Sequence, residues 1–245
     1  MKRLIFLVLA ALMVLAVSCK EEKSPAGPKQ KYGVDGVTPM PEAVDLGLPS
    51  GLKWASFNLG ASKPEEFGDY YAWGETETHY SSLNPLTWKD GMEDGYSWSN
   101  YKFGTGDDGD FSKYNASDPQ KSLETGPDGD DVASKVLGGN WRMPTEADWR
   151  ELLYYCLCTL KTTADGYACN GYLFTGNGNS IFLPLAGHIN SIHYTHPGEN
   201  GYYWTSSFDP EDPTNNNCIK LTSEWPSFVG CSRYLGHSIR PVYVE

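Results

Sequence analysis

The chain has 245 residues, with 19 Lys and Arg against 31 Asp and Glu and a formal net charge of −12. A surface this negative repels phosphate backbones and anionic membrane faces, which excludes general nucleic-acid binding. Aromatic residues supply 13% of the chain, enough for a real core, while 26 Gly and 16 Pro point to a loop-rich fold rather than a helical bundle.

At the N-terminus, Lys2 and Arg3 precede an apolar run over residues 4–17. That run falls short of the ~20 residues of a spanning helix, so residues 1–18 read as a secretory signal. Ala16, Val17 and Ser18 before Cys19 resemble the end of a bacterial lipoprotein signal. The resemblance implies that Cys19 becomes the lipidated first residue. Lys20, Glu21 and Glu22 are similar to the acidic signal that sends lipoproteins of Bacteroidota-type bacteria to the outer face of the outer membrane. Such a chain meets the membrane by its lipid anchor only. Residues 19–38 carry Pro25, Gly27 and Pro28 and read as a flexible tether to a single domain over 39–245.

Within that domain a first strand is expected over 52–55. Residues 80–129 show no sustained period, and a loop this long is usually functional. A short helix is expected over 131–137, capped by Asp130 or Asp131 and stopped by Gly138 and Gly139. The clearest helix begins after Thr145, where Asp148 completes a capping box. Trp149, Leu152, Leu153 and Cys156 then form one apolar stripe. Asn177 and Gly178 between two apolar alternations predict a hairpin. Further strands are expected over 202–206, 218–221, 228–231 and 239–244. The fold class that follows is α+β, with a mostly antiparallel sheet and two helices.

Three segments in order carry a family resemblance. The first runs over 43–55 and continues through Asn58 and the Tyr71-Ala-Trp-Gly-Glu75 motif. The second is Leu137-Gly-Gly-Asn-Trp-Arg-Met-Pro-Thr-Glu-Ala-Asp-Trp149. The third leads from Asn170 through Tyr203-Trp-Thr-Ser-Ser207 to Ser238-Ile-Arg-Pro-Val242. Together they resemble the Fibrobacter succinogenes major paralogous domain of exported lipoproteins. That family is similar to C-type-lectin-like folds, including formylglycine-generating-enzyme-type domains and the variable proteins of diversity-generating retroelements. The resemblance implies a twisted antiparallel core with two helices and long loops. Arg142 and Arg240, each before a Pro or close to one, read as clamps on loop carbonyls or carboxylates.

Five cysteines follow Cys19, so at least one thiol is left over within the chain. Export permits disulfides. Cys218 and Cys231 lie on two apolar runs joined by a turn around Pro226, which makes them the expected pair. They lack the close spacing of the active cysteines in the formylglycine-generating branch.

No nucleophile elbow, P-loop or dinucleotide fingerprint is present, and no enzymatic role is assigned. Asp107, Asp108 and Asp110, and likewise Asp128, Asp130 and Asp131, are either solvated turns or holders of a Ca2+ ion, the one cofactor the sequence suggests. His188, His193 and His196 read as loop histidines, with a metal as the alternative. Tyr96, Trp98 and Tyr101 are either plugs on the core or contact residues for a ligand. The resembled variable proteins present ligand residues between a Trp-bearing strand and the closing Arg-Pro strand. Here that stretch offers Asp209, Asn215, Asn217, Trp225, Arg233 and Tyr234. The expected function is a non-enzymatic surface lipoprotein that binds a glycan or a protein. A structural subunit of an outer-membrane complex is the alternative, and a glycan hydrolase stands behind both.

Overall fold

Local capping signals set both helices. Asp131 caps α1 (Val132–Leu137) by accepting the Ser134 N–H, and Gly138 ends it. Thr145 and Asp148 close a reciprocal capping box on α2 (Glu146–Tyr155). The computed structural model describes residues 31–104, 110–117 and 120–245. Residues 1–18, expected to be a signal, and Cys19, Asp107 and Asp108 lie outside them.

Sheet dominates this α+β fold. The early strands are β1 (Ala43–Asp45), β2 (Lys53–Ala55), β3 (Tyr70–Tyr71), β4 (Tyr80–Leu83), β5 (Leu86–Trp88) and β6 (Trp141–Arg142). After α2 come β7 (Leu157–Lys161), β8 (Gly171–Gly176), β9 (Asn179–Pro184), β10 (His188–Asn190) and β11 (His193–Thr195). The last are β12 (Gly201–Trp204), β13 (Asn215–Leu221), β14 (Ser227–Ser232), β15 (His237–Ser238) and β16 (Val242–Tyr243).

Three sheets carry the architecture. One has the order β14-β13-β12-β15-β3, a second β1-β2-β16-β6, and a third β7-β8-β9. Pairing is antiparallel except between β12 and β15. The β8–β9 turn uses Asn177 at φ 50 and Gly178 at φ 74, the left-handed pair that an Asn-Gly hairpin requires. The expected closing strand over 239–244 is broken. Arg240 and Pro241 interrupt it, so β15 joins one sheet and β16 another.

Two aromatic-rich cores fill the interior. One gathers Trp73, Tyr96, Tyr101, Tyr114 and Trp204, the other Trp54, Trp149, Tyr172 and Tyr203. In the second, the Trp54 and Trp149 rings meet at 4.6 Å. The α2 stripe thus docks on β2, as its spacing predicts.

Residues 80–129 are not structureless. They hold the β4–β5 hairpin, and then a loop that folds its own aromatics inward. The tether also ends earlier than position 38. Met40 N–H donates to Lys31 O at 2.9 Å and Gly33 N–H to Thr38 O at 2.8 Å, forming a turn. Asp35 N–H donates from that turn to Val136 O at 3.4 Å, so it lies against α1.

Arg240 is fully buried without a carboxylate. Its guanidinium donates to Ala55 O at 3.0 Å, Phe182 O at 2.7 Å and Asn58 Oδ1 at 2.9 Å. Burial lowers its pKa to about 10. Arg142 instead forks onto Asp148 at 2.6 and 3.3 Å near the surface. Arg240→Met should orphan three buried acceptors and cost roughly 3 kcal/mol or more. Arg142→Met should cost less than about 1 kcal/mol. Urea unfolding of both variants checks the contrast, and equal losses would refute it.

Candidate functional site

The residues expected to bind a ligand divide sharply by burial. Tyr96 is fully buried, stacked on His79 at 4.3 Å, with its hydroxyl donating to Tyr70 O. Tyr101 is buried too, and its hydroxyl donates to Trp73 O at 2.8 Å. Trp98 is half-buried against Tyr101, Phe111 and Tyr234. These rings plug the long loop onto the core, because apolar area left in water would cost more than it gains. The expectation that they contact a ligand is corrected for Tyr96 and Tyr101.

Arg233 is likewise corrected from ligand residue to anchor. It is fully buried, with its guanidinium 4.6 Å from the Trp73 ring and 4.4 Å from Phe111. It donates to Tyr114 O and Pro213 O, each at 2.8 Å, and to the Tyr101 hydroxyl at 2.9 Å. Nothing of it is left for solvent.

The acidic group at Asp128, Asp130 and Asp131 does not converge on a cation. Asp130 accepts from Lys102 at 2.8 Å and Lys113 at 2.5 Å. Burial alone would raise its pKa, but those two ammoniums outweigh burial and hold the carboxyl low. Asp131 accepts the Ser134 N–H at 2.9 Å and the Met143 N–H at 2.8 Å. Asp128 stands exposed on a groove wall. The calcium expectation is corrected here, since two of the three carboxylates already serve as loop and helix anchors. Asp110 is exposed, and its partners in the first acidic group lie outside the described residues.

A different feature assembles where the chain enters β13. Asp209, Asp212, Asn215, Asn216, Asn217 and Gly230 line a small polar notch. Its walls are held by short local bonds. Asp212 accepts from Thr214 Oγ1 at 2.8 Å and from Asn215 Nδ2 at 3.1 Å, and the Asn215 and Thr214 bonds lower its pKa. Asp209 Oδ1 accepts the Glu211 N–H at 2.9 Å. Asn217 Nδ2 donates to Glu146 Oε2 at 2.9 Å, which ties the notch to the first turn of α2.

Two details distinguish the faces of the hairpin here. Asn216 is buried, and its Nδ2 donates to Ser207 O at 2.6 Å, but its Oδ1 has no hydrogen-bond partner. Gly230 lies opposite Asn217 in the β13–β14 register, and a Cβ there would meet only Asn215 Cβ at 3.8 Å. The Gly230 gap thus opens on the outer face of the hairpin with Asn215 and Asn217, whereas Asn216 Oδ1 is buried on the inner face.

The remaining expected ligand residues do not join this notch. Trp225 is 60% exposed, but it sits in the turn at the opposite end of the β13–β14 hairpin. Tyr234 packs on Trp98 at 4.8 Å. Cys218 and Cys231 are diagonal neighbours in the hairpin, 6.4 Å apart at Cα, and form a disulfide. Cys156, Cys158 and Cys169 are free. His188 and His196 stack at 6.4 Å between ring centres, while His193 is exposed.

Sequence reasoning missed Asp212 and Gly230. The alternation along β13 turns Asn216 and Cys218 inward and leaves Asn215 and Asn217 on the outer face with Gly230. Comparison with family models, with curated proteins and with solved structures finds no match to this chain.

Burial at the α1 N-cap has a pH consequence. It pushes the Asp131 carboxyl up to about 6, against the opposing bonds from Ser134 and Met143 and the charge of Arg142. The unfolded carboxyl titrates near ~3.9. The folded chain thus binds the proton more tightly. This contribution is fully present below about pH 4 and is lost as pH rises through about 6. Relative to Asp131→Asn, the wild type should lose on the order of 3 kcal/mol of stability between about pH 4 and 7. Denaturant melts across that range test this, and a constant difference would exclude it.

Proposed function

We propose that this chain is a non-enzymatic, lipid-anchored surface protein whose notch, with room for a single hydroxyl group, takes one hydroxyl of a surface-bound ligand, a glycan in the first instance. The observation that carries this reading is the open space at Gly230 beside Asn215, on the outer face of the β13–β14 hairpin. The Asp209 and Asp212 carboxylates at its rim accept from ligand hydroxyls, and such charge-assisted bonds are stronger than neutral ones. A C-type-lectin-like fold is part of the proposal. In its support, the Trp204-bearing strand β12 lies directly beside β15, which leads into Arg240 and Pro241.

The outer-membrane address rests on the sequence around Cys19. Among the described residues no helix is long and apolar enough to cross a membrane.

A structural or assembly role is the second reading. It is favoured by Tyr154, Tyr155 and Leu157, which are 80%, 56% and 69% exposed at the end of α2. Adjacent apolar side chains of this size suit a partner protein.

Gly230→Leu should fill the notch without disturbing the sheet. On an oligosaccharide array, the full chain should bind a hydroxyl-rich glycan and this variant should not, with a melting temperature within about 2 °C of wild type. Undiminished binding by the variant, or an array without a binder, would overturn the glycan reading. Cys19→Ala should release the protein from the membrane fraction. Metabolic labelling with an alkyne palmitate checks this, and an unlabelled wild-type chain would sink the anchor.

A further inference from the structure

The deepest group of metal-type ligands lies apart from the notch. Cys218 of β13, Cys231 of β14 and His237 of β15 place one sulfur or nitrogen ligand atom each within 4.8 Å of one another, and all three residues are buried. His237 is the unusual member. It is fully buried, and neither ring nitrogen has a hydrogen-bond partner. Its ring stacks on Trp204 at 4.1 Å, which fixes the imidazole plane. A buried imidazole with two unanswered nitrogens is costly unless something at the site uses a lone pair.

We propose that Cys218, Cys231 and His237 form a zinc-type metal site that the dithiol form of this cysteine pair makes available and the disulfide form closes. Tetrahedral zinc holds thiolate sulfurs at about 2.3 Å and imidazole nitrogen at about 2.0 Å, so its ligand atoms sit roughly 3.5–3.8 Å apart. That spacing lies inside the 4.8 Å cluster. Charge points to a divalent ion. Two thiolates, a neutral imidazole and one M2+ sum to zero, whereas a monovalent ion would leave a net charge in a dry interior. Three protein ligands leave the fourth position to a small molecule or ion.

The chemistry balances as two steps. A dithiol reductant passes two electrons and two protons to the Cys218–Cys231 bond and is itself oxidised to a disulfide. The metal then displaces both thiol protons, and His237 gives a lone pair without releasing a proton. In the reverse direction a disulfide oxidant takes two electrons from the two thiolates and two protons from solvent and becomes a dithiol, so the Cys218–Cys231 bond re-forms and the ion, left with one of its three ligands, is released.

The surroundings supply an entry path. The His188 ring stands edge-on to His237 at 5.8 Å between centres, and His196 stacks beyond it at 6.4 Å. His188 is half-buried and His196 exposed. Imidazoles in contact thus lead from the surface to the buried ligands. This inference is independent of the ligand reading of the notch.

The test uses the full chain, reduced and then exchanged into reductant-free anaerobic buffer, titrated with Co2+ alone. The expected result is a thiolate-to-cobalt charge-transfer band that saturates at one ion per chain and is discharged by Zn2+. The oxidised chain should give no band, and Cys218→Ser should abolish it. His237→Phe keeps an apolar ring on Trp204 but removes the ligand. Loss of an outer-shell partner alone weakens metal binding about 10–100-fold, so this variant should weaken cobalt by about 100-fold or more. A band that survives in Cys218→Ser would place the metal on Cys156, Cys158 or Cys169 and overturn the proposal. So would equal cobalt affinity in His237→Phe, or a reduced chain that takes up no cobalt. A reduced chain that unfolds, and that Zn2+ does not refold by near-ultraviolet circular dichroism, would overturn it as well.

Discussion

One guanidinium joins all three main sheets. Arg240 sits between β15 of the five-stranded sheet and β16 of the four-stranded sheet, and it reaches Ala55 O on β2 and Phe182 O on β9 of the three-stranded sheet. A fully buried cation without a counter-carboxylate is normally unfavourable. Here carbonyl and amide oxygens take the place of water around it. The fork geometry of Arg lets one side chain satisfy acceptors from separate strands at once, which a Lys could not do. The two aromatic cores can then be filled by rings, since the sheet edges that frame them are already held at fixed distance.

That frame also explains why the polar features lie where they do. The five-stranded sheet ends in the β13–β14 hairpin; the notch opens on the outer face of that hairpin and the cysteine pair lies on its inner face. Asn216 and Cys218 both point inward from β13, yet they meet different neighbours. Asn216 donates to the Ser207 backbone, while Cys218 faces Cys231 and the His237 ring. A register shift of one residue would turn both outward and destroy both arrangements. The six-residue pairing from Asn215↔Ser232 to Lys220↔Ser227 is what prevents it.

Much of the local structure was legible from the residues. Thr145 with Asp148, Asp131 before Val132, and Asn177-Gly178 each satisfy a backbone need that few other residues meet, so each marked its element within a residue or two. The cysteine pairing was legible for a related reason, because two apolar runs around one turn can hardly avoid facing each other. The ligand residues were harder to read. Tyr and Trp on an irregular segment look alike in sequence whether they cover a core or await a partner, and Tyr96 and Tyr101 cover the core. Strands of two or three residues such as β3 and β6 carry too few side chains for a period to show. Long-range closure hides most completely. No spacing announces that Arg233 reaches Tyr114, or that Gly230 leaves room beside Asn215.

The grip of Arg233 bears on how such a chain can change over generations. Its partners in the long loops are the main-chain oxygens of Lys113, Tyr114 and Pro213 and, turned inward, the Tyr101 hydroxyl and the Phe111 ring. Every amino acid carries the main-chain oxygen. The loops are therefore moored by their backbone course and a few inward rings, and not by what their outer faces display. Substitutions on their outer faces leave the mooring intact, so new surface chemistry can be tried there while the scaffold beneath stays constant.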